Sequence, residues 1–79
     1  MRTEVVEILA RVLRIGAGSI DEHTSPDTVS SWDSLAHLEL IAALEKEFGV
    51  RFNIREIQTM DSAARIEAVL SARIPARNS

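Results

Sequence analysis

The longest unbroken helical pattern in the chain is Ser34-Leu35-Ala36-His37-Leu38-Glu39-Leu40-Ile41-Ala42-Ala43-Leu44-Glu45-Lys46-Glu47-Phe48, entered from Trp32-Asp33 and left at Gly49. It holds neither glycine nor proline and is dominated by Ala, Leu and Glu, all strong helix formers. At 100° per residue, Leu40, Ile41, Leu44 and Phe48 fall on one broad side with Ala43 at its margin, which is a core face, and Gly49 is placed to close the helix as a C-terminal cap. The opposite side is mixed. Glu39, Glu45 and Lys46 share it with Leu35, Leu38 and Ala42, so leucines stand where a lone bundle would carry polar groups. Apolar side chains among acids form a docking pattern; the plainer readings are ordinary helix surface, or leucines covered by the preceding loop.

Working towards the N-terminus, residues 16–33 are rich in Gly, Ser, Thr and Asp and form an eighteen-residue connection, longer than the usual ceiling of about 12 to 15 for a structureless loop. Ile20 and Val29 can pin it to a core while Thr24-Ser25-Pro26-Asp27 turns it, which makes it an ordered crossover. Before it lies an amphipathic helix with Thr3 as the expected N-cap: Val5, Ile8, Leu9, Val12, Leu13 and Ile15 share one face, and Glu4, Glu7, Arg11 and Arg14 recur on the other. Gly16-Ala17-Gly18 supplies the flexible residues expected past its end, and the Glu7–Arg11 spacing suits a solvated charged face.

Towards the C-terminus, Val50-Arg51-Phe52 reads as a short extended stretch. Asn53-Ile54-Arg55-Glu56 has the spacing of a capping box and opens a helix of one or two turns. Thr59 or Asp61 is the expected cap of a last helix whose Ala63, Ile66, Val69 and Leu70 face inward, and Pro75 ends it. The expectation is all-α: a small four-helix bundle with a long loop between helices 1 and 2 and a short third helix. Residues 1–75 form a single domain and 76–79 a frayed tail.

Composition narrows the function. Seventy-nine residues bury only about 60% of the surface of the unfolded chain and leave no room for a second core, so a large preformed active-site cleft is not expected. Twelve acidic and nine basic residues give nothing that favours broad contact with phosphate backbones, so nucleic-acid binding is a poor guess. The charge is uneven, with nine acids and four bases in residues 1–48 against three acids and five bases in residues 49–79. There is no cysteine, so no disulfide or thiolate metal site can form, and any thiol found on the protein has been added to it. An early acid and an amphipathic start are expected to mean neither signal peptide nor membrane span, and hence a cytoplasmic address.

Ser34 is the candidate for chemistry, because its hydroxyl stands where a polar loop gives way to a helix. A nucleophilic serine needs a base and a metal needs clustered ligands, yet the chain offers only His23 and His37. The serine therefore reads as a substrate, with no catalytic residue and no metal site expected. Its plain structural role would be an N-cap worth about 1 kcal/mol, a role open equally to Asp33. His37 invites a reading as base or pH switch, but its helical angle close to Leu44 and Phe48 argues for a partly covered structural residue. Trp32 either shields the Ser34 region or packs the loop on the bundle, and in both cases is a single fluorophore beside it.

With Asp33-Ser34-Leu35 opening a helix that reads Glu39-Leu40 and then Ala43-Leu44-Glu45-Lys46-Glu47-Phe48, behind a first helix and a long loop and ahead of a short helix and a final one, nearly the whole chain resembles the acyl carrier protein family, peptidyl and aminoacyl carriers included. The resemblance implies that Ser34 receives 4'-phosphopantetheine from a magnesium-dependent phosphopantetheinyl transferase, that Asp33 belongs to the motif the transferase recognises, and that acyl groups are held as thioesters on the arm's thiol. It also implies that Leu35, Leu38, Glu39, Ala42 and Glu45 meet acyl-activating or acyl-transferring partner enzymes. Carriers of primary fatty-acid synthesis usually bear acids at the positions of Ala36 and Lys46, so the resemblance points to a dedicated carrier in a specialised pathway, most simply a monomer. The interior would either shelter a growing chain or be closed. The alternative is a helical adaptor that binds a partner through the same helix without any prosthetic group; a standalone enzyme lacks the base, metal cluster and phosphate loop it would need.

Overall fold

The computed structural model describes residues 1–74, and their regular structure is entirely helical. Helix α1 spans Thr3–Leu13, a single 3₁₀ turn spans Ala17–Ser19, and then come α2 (Ser34–Phe48), α3 (Ile54–Thr59) and α4 (Ala63–Arg73). This is the expected small helical bundle. Pro75 and the tail 76–79, expected to stop the last helix and fray, lie outside the described residues.

The two apolar stripes meet as their spacing dictates. Val5, Leu9 and Leu13 of α1, Leu40 and Leu44 of α2, and Ile66 and Leu70 of α4 are wholly buried around one centre, with Met60 from the α3–α4 turn beside them. Val12, Ile15, Ala43, Phe48 and Val69 are half-buried at its margin. Truncating such a residue to alanine typically costs about 2–5 kcal/mol, so this cluster supplies much of the stability of so small a chain.

The ends of α1 differ from expectation. Thr3 is the first helical residue, so the N-cap position falls to Arg2, which makes no side-chain cap. Arg2 is held from α4 instead: its backbone N–H donates to Glu67 Oε2 (2.8 Å) and its Nη1 to Glu67 Oε1 (3.0 Å). At the other end the left-handed residue is Arg14 (φ 61°, ψ 44°), not a glycine. The helix must turn there because the Ile15 N–H folds back onto Ala10 O (3.2 Å), which brings Ile15 against the core. Gly16 and Gly18 lie beyond the reversal with negative φ. At the end of α2 the expected glycine does the work, since Gly49 has φ 65° and its N–H returns to Glu45 O.

The long connection is ordered by its own polar groups. Ile20 and Val29 rest on the core, as their spacing suggested, and the Ser25 carbonyl accepts from the N–H groups of Thr28 and Val29. Thr24 is buried. Its Oγ1 accepts from the Asp21 N–H (3.0 Å), and its carbonyl, with that of Glu22, takes the Ala63 and Ala64 N–H groups at the start of α4 (2.9 and 3.1 Å). The loop thus satisfies donors that the helix leaves unpaired. The side-chain cap of α4 is Ser62, which accepts from the Arg65 N–H (3.1 Å), not Thr59 or Asp61. Thr59 turns back to donate to Glu56 O, and Asp61 stays exposed, because the chain first buries Met60 completely.

Before α3, Asn53 and Glu56 form the expected capping box, at 2.8 and 2.9 Å. Glu56 also receives Arg73 Nη1 of α4 (2.6 Å). The Asn53 N–H and then the Arg73 guanidinium hold the Glu56 carboxyl below the ordinary carboxylate range. Such a group stabilises the fold fully above the unfolded value near 4.5 and progressively less as pH falls through the folded value. Urea midpoints recorded from neutrality down through that value should therefore fall more steeply for the wild-type chain than for Glu56→Gln. Two left-handed positions make a second, paired test. Arg14→Gly should raise stability by about 0.5–1 kcal/mol, and Gly49→Ala, where a methyl meets nothing within 4 Å, should lower it by about 1 kcal/mol through φ alone.

Candidate functional site

The start of α2 is built by the three residues in front of it. Ser31 Oγ donates to Leu13 O at the end of α1 (2.7 Å), and the Trp32 N–H donates to Val29 O (3.0 Å), so the loop arrives in a set position. Asp33 then turns extended, and its Oδ1 accepts the Ala36 N–H at 2.9 Å. The cap is therefore Asp33. Ser34 becomes the first helical residue, exposed, with no hydrogen bond to its Oγ among the described residues. The N–H groups of Ser34 and Leu35 also have no protein partner there, so the positive end of the helix faces outward beside the hydroxyl.

Trp32 and His37 form one unit. The indole is buried, its Nε1 donates to His37 Nδ1 (3.1 Å), and the rings stack with centroids 6.1 Å apart at 25°. His37 Nε2 lies 2.8 Å from Ile57 O in α3. An indole N–H only donates and a carbonyl only accepts, so Nδ1 carries no proton and Nε2 carries one. Both ring nitrogens are thereby engaged, and His37 has no free lone pair with which to activate Ser34. Of the two roles weighed for each residue, the structure has a packed Trp32 and a structural His37.

Beside Ser34 opens a groove of about 550 Å³. It is lined by Pro26, Trp32 and Asp33 of the loop, Ser34, His37 and Leu38 of α2, Ile57 and Gln58 of α3, and Asp61 before α4. Sequence reasoning did not single out Pro26, Ile57, Gln58 or Asp61 for this site. Ile57 and Gln58 come from a helix some twenty positions away, and no local pattern marks their approach. A second depression of about 500 Å³, between Ile15 and the loop residues Ser19 to Ser31, shares no residue with this one.

Further along α2, Leu35 (67% exposed) and Leu38 (61%) are not covered by the loop, and Glu39 and Ala42 are exposed beside them. Glu45 differs. It is half-buried, and its Oε2 accepts the Phe52 N–H at 2.9 Å, which ties the chain that follows α2 back onto that helix. Ala36 is buried at the foot of the helix, and Lys46 is exposed. Ile54 at the start of α3, 68% exposed, adds an apolar surface residue that the sequence reading did not single out.

A phosphodiester would fit this place: an accessible hydroxyl, outward N–H groups at a helix start, and open space around them. Among the described residues no group of three or more His, Asp or Glu could hold a metal ion, and no helix is long and apolar enough to cross a membrane. No curated protein matches the chain. The family model described as the phosphopantetheine attachment site matches residues 3–70, from the first residue of α1 into the last turn of α4. The chain accordingly belongs to the phosphopantetheine-attachment family, the carrier domains whose cofactor is covalent 4'-phosphopantetheine.

Proposed function

We propose that this chain is an acyl carrier protein whose arm is esterified to Ser34 Oγ and whose acyl cargo is held as a thioester. The observation that carries the reading is the division of labour at the start of α2: Asp33 takes the capping role, and the Ser34 hydroxyl stands exposed without a partner. The phosphopantetheine supplies the thiol that this cysteine-free chain lacks. Ser34 supplies the oxygen. The outward N–H groups of Ser34 and Leu35 favour an anion there, and the Asp33 oxygen not used in the cap is a hard ligand suited to a transferase's magnesium. Since His37 is occupied on both nitrogens, the serine proton leaves to a base of the transferase.

Exposed Leu35, Leu38, Glu39 and Ala42 form the surface offered to the transferase and to acyl-handling enzymes, as a shared docking face requires. Glu45 contributes less, because it already holds the Phe52 N–H. An acid at position 36 would have to leave the buried place that Ala36 fills, and Lys46 adds a positive charge to α2, which supports a dedicated carrier of a specialised pathway over a general fatty-acid one.

Intact mass and thiol titration after treatment with a promiscuous phosphopantetheinyl transferase and coenzyme A test the assignment. One phosphopantetheine increment and one new thiol are expected on the wild-type chain and neither on Ser34→Ala; an unmodified wild-type chain, with the transferase active on a control carrier, would leave the adaptor reading. The same variants separate site from scaffold. In urea unfolding Ser34→Ala should stay within about 0.5 kcal/mol of wild type, as an exposed unpartnered side chain does, whereas Asp33→Ala should lose about 1 kcal/mol with its cap.

A further inference from the structure

Helix α3 has six residues, too few to stand alone in water. Its capping box is internal to its own first turn, and its ion pair Glu56–Arg73 reaches α4. Among the described residues, one hydrogen bond joins α3 itself to α2, and it is the bond from His37 Nε2 to Ile57 O at 2.8 Å. The ring that makes this bond is backed by Trp32, which donates to its other nitrogen and stacks on its face. His37 and Ile57 line the groove beside Ser34. Behind the seam the core is filled, since Leu40 and Leu44 of α2, Met60 of the α3–α4 turn and Ile66 of α4 have no exposed surface. A flexible chain tethered near Ser34 could pass between α2 and α3 only by parting this bond and displacing packed side chains.

We infer that His37 closes the seam between α2 and α3 to the cargo, so that an acyl chain carried from Ser34 lies in the open groove outside the bundle. The inference rests on Ser34 as the attachment point. It makes His37 a specificity-determining positioning residue, acting through Ile57 and Trp32. Short or polar acyl groups lose nothing by an outside position, whereas a long alkyl chain gains no shelter. The charged groups of the groove are Asp33 on the loop and Asp61 before α4, both exposed.

The test loads Ser34 with pantetheine arms bearing either acetyl or octanoyl, verifies each by mass, and compares wild type, His37→Ala and His37→Gln. Gln retains a side-chain N–H able to reach Ile57 O. For wild type and His37→Gln, the acetyl and octanoyl forms should show the same amide resonances at Leu44, Met60 and Ile66 and melt together. For His37→Ala, the octanoyl form should shift those resonances and melt above the acetyl form. Core shifts with octanoyl on the wild-type chain would overturn the closure outright, as would a loaded and folded His37→Ala that keeps octanoyl outside. A wild-type chain that takes no arm would overturn the Ser34 assignment instead, and the mass spectrum distinguishes that failure. On the bare chain, hydrogen exchange at Ile57, Gln58 and Thr59 should quicken by about five- to tenfold in His37→Ala and not in His37→Gln; equal exchange in all three chains would overturn the bond's role in holding α3.

Discussion

The hydrogen bond from the Ala36 N–H to the Asp33 carboxylate decides where α2 begins, and the site follows from that choice. A helix start exposes donors that need acceptors, and an aspartate in extended backbone geometry meets one of them. Had the serine been drawn into the cap, its oxygen would have been committed to the backbone. With Asp33 in that role, Ser34 takes the first helical position with an uncommitted hydroxyl. The function proposed for the chain depends on this one-residue difference.

The same end of the molecule is held from three directions. Ser31 binds the loop to the last turn of α1, Trp32 is packed into the core, and His37 reaches α3. These contacts give the proposed attachment end a defined shape although the loop leading into it has no regular structure beyond a single 3₁₀ turn. Further round, Thr24 and Glu22 deliver loop carbonyls to the start of α4, so the crossover adds to the Ser62 cap there. The eighteen-residue connection is ordered because its polar groups pair largely with one another, Glu22, Thr24 and Ser31 answer groups on α4 and α1, and Ile20 and Val29 anchor it by burial.

A consequence is that the packing side and the proposed docking surface are kept apart on one helix. The inward side of α2 carries Ala36, Leu40, Ile41 and Leu44, and its outward side carries Leu35, Leu38, Glu39 and Ala42. Glu45 lies between these roles and is partly consumed by the Phe52 N–H. Substitutions on the outward side can therefore be made with little effect on folding, whereas the inward side is constrained by volume.

Much of this was legible from residue order alone where the physics is local. The 3.6-residue periodicity of α1 and α2, the Asn53–Glu56 box, the glycine that ends α2 and the motif around Ser34 are all set within a few residues, so the four-helix plan and the serine could be read directly. Ends and partners set by distant groups could not. Glu67 anchors Arg2 across sixty-five positions, Ile15 draws Arg14 into a left-handed turn by packing on the core, and burial of Met60 moves the α4 cap to Ser62. The roles of Asp33 and Ser34 were interchangeable on paper, because either side chain can cap; only the folded backbone chose. The tie from His37 to Ile57 likewise became visible only in three dimensions, because a backbone carbonyl carries no sequence signature and its value depends on which helix it faces. By itself the sequence determined the helices and their apolar faces and marked Ser34 as the serine proposed for modification, because these follow from neighbours along the chain. The tertiary structure alone decided which polar group satisfies which, because hydrogen bonds between elements depend on how the helices pack.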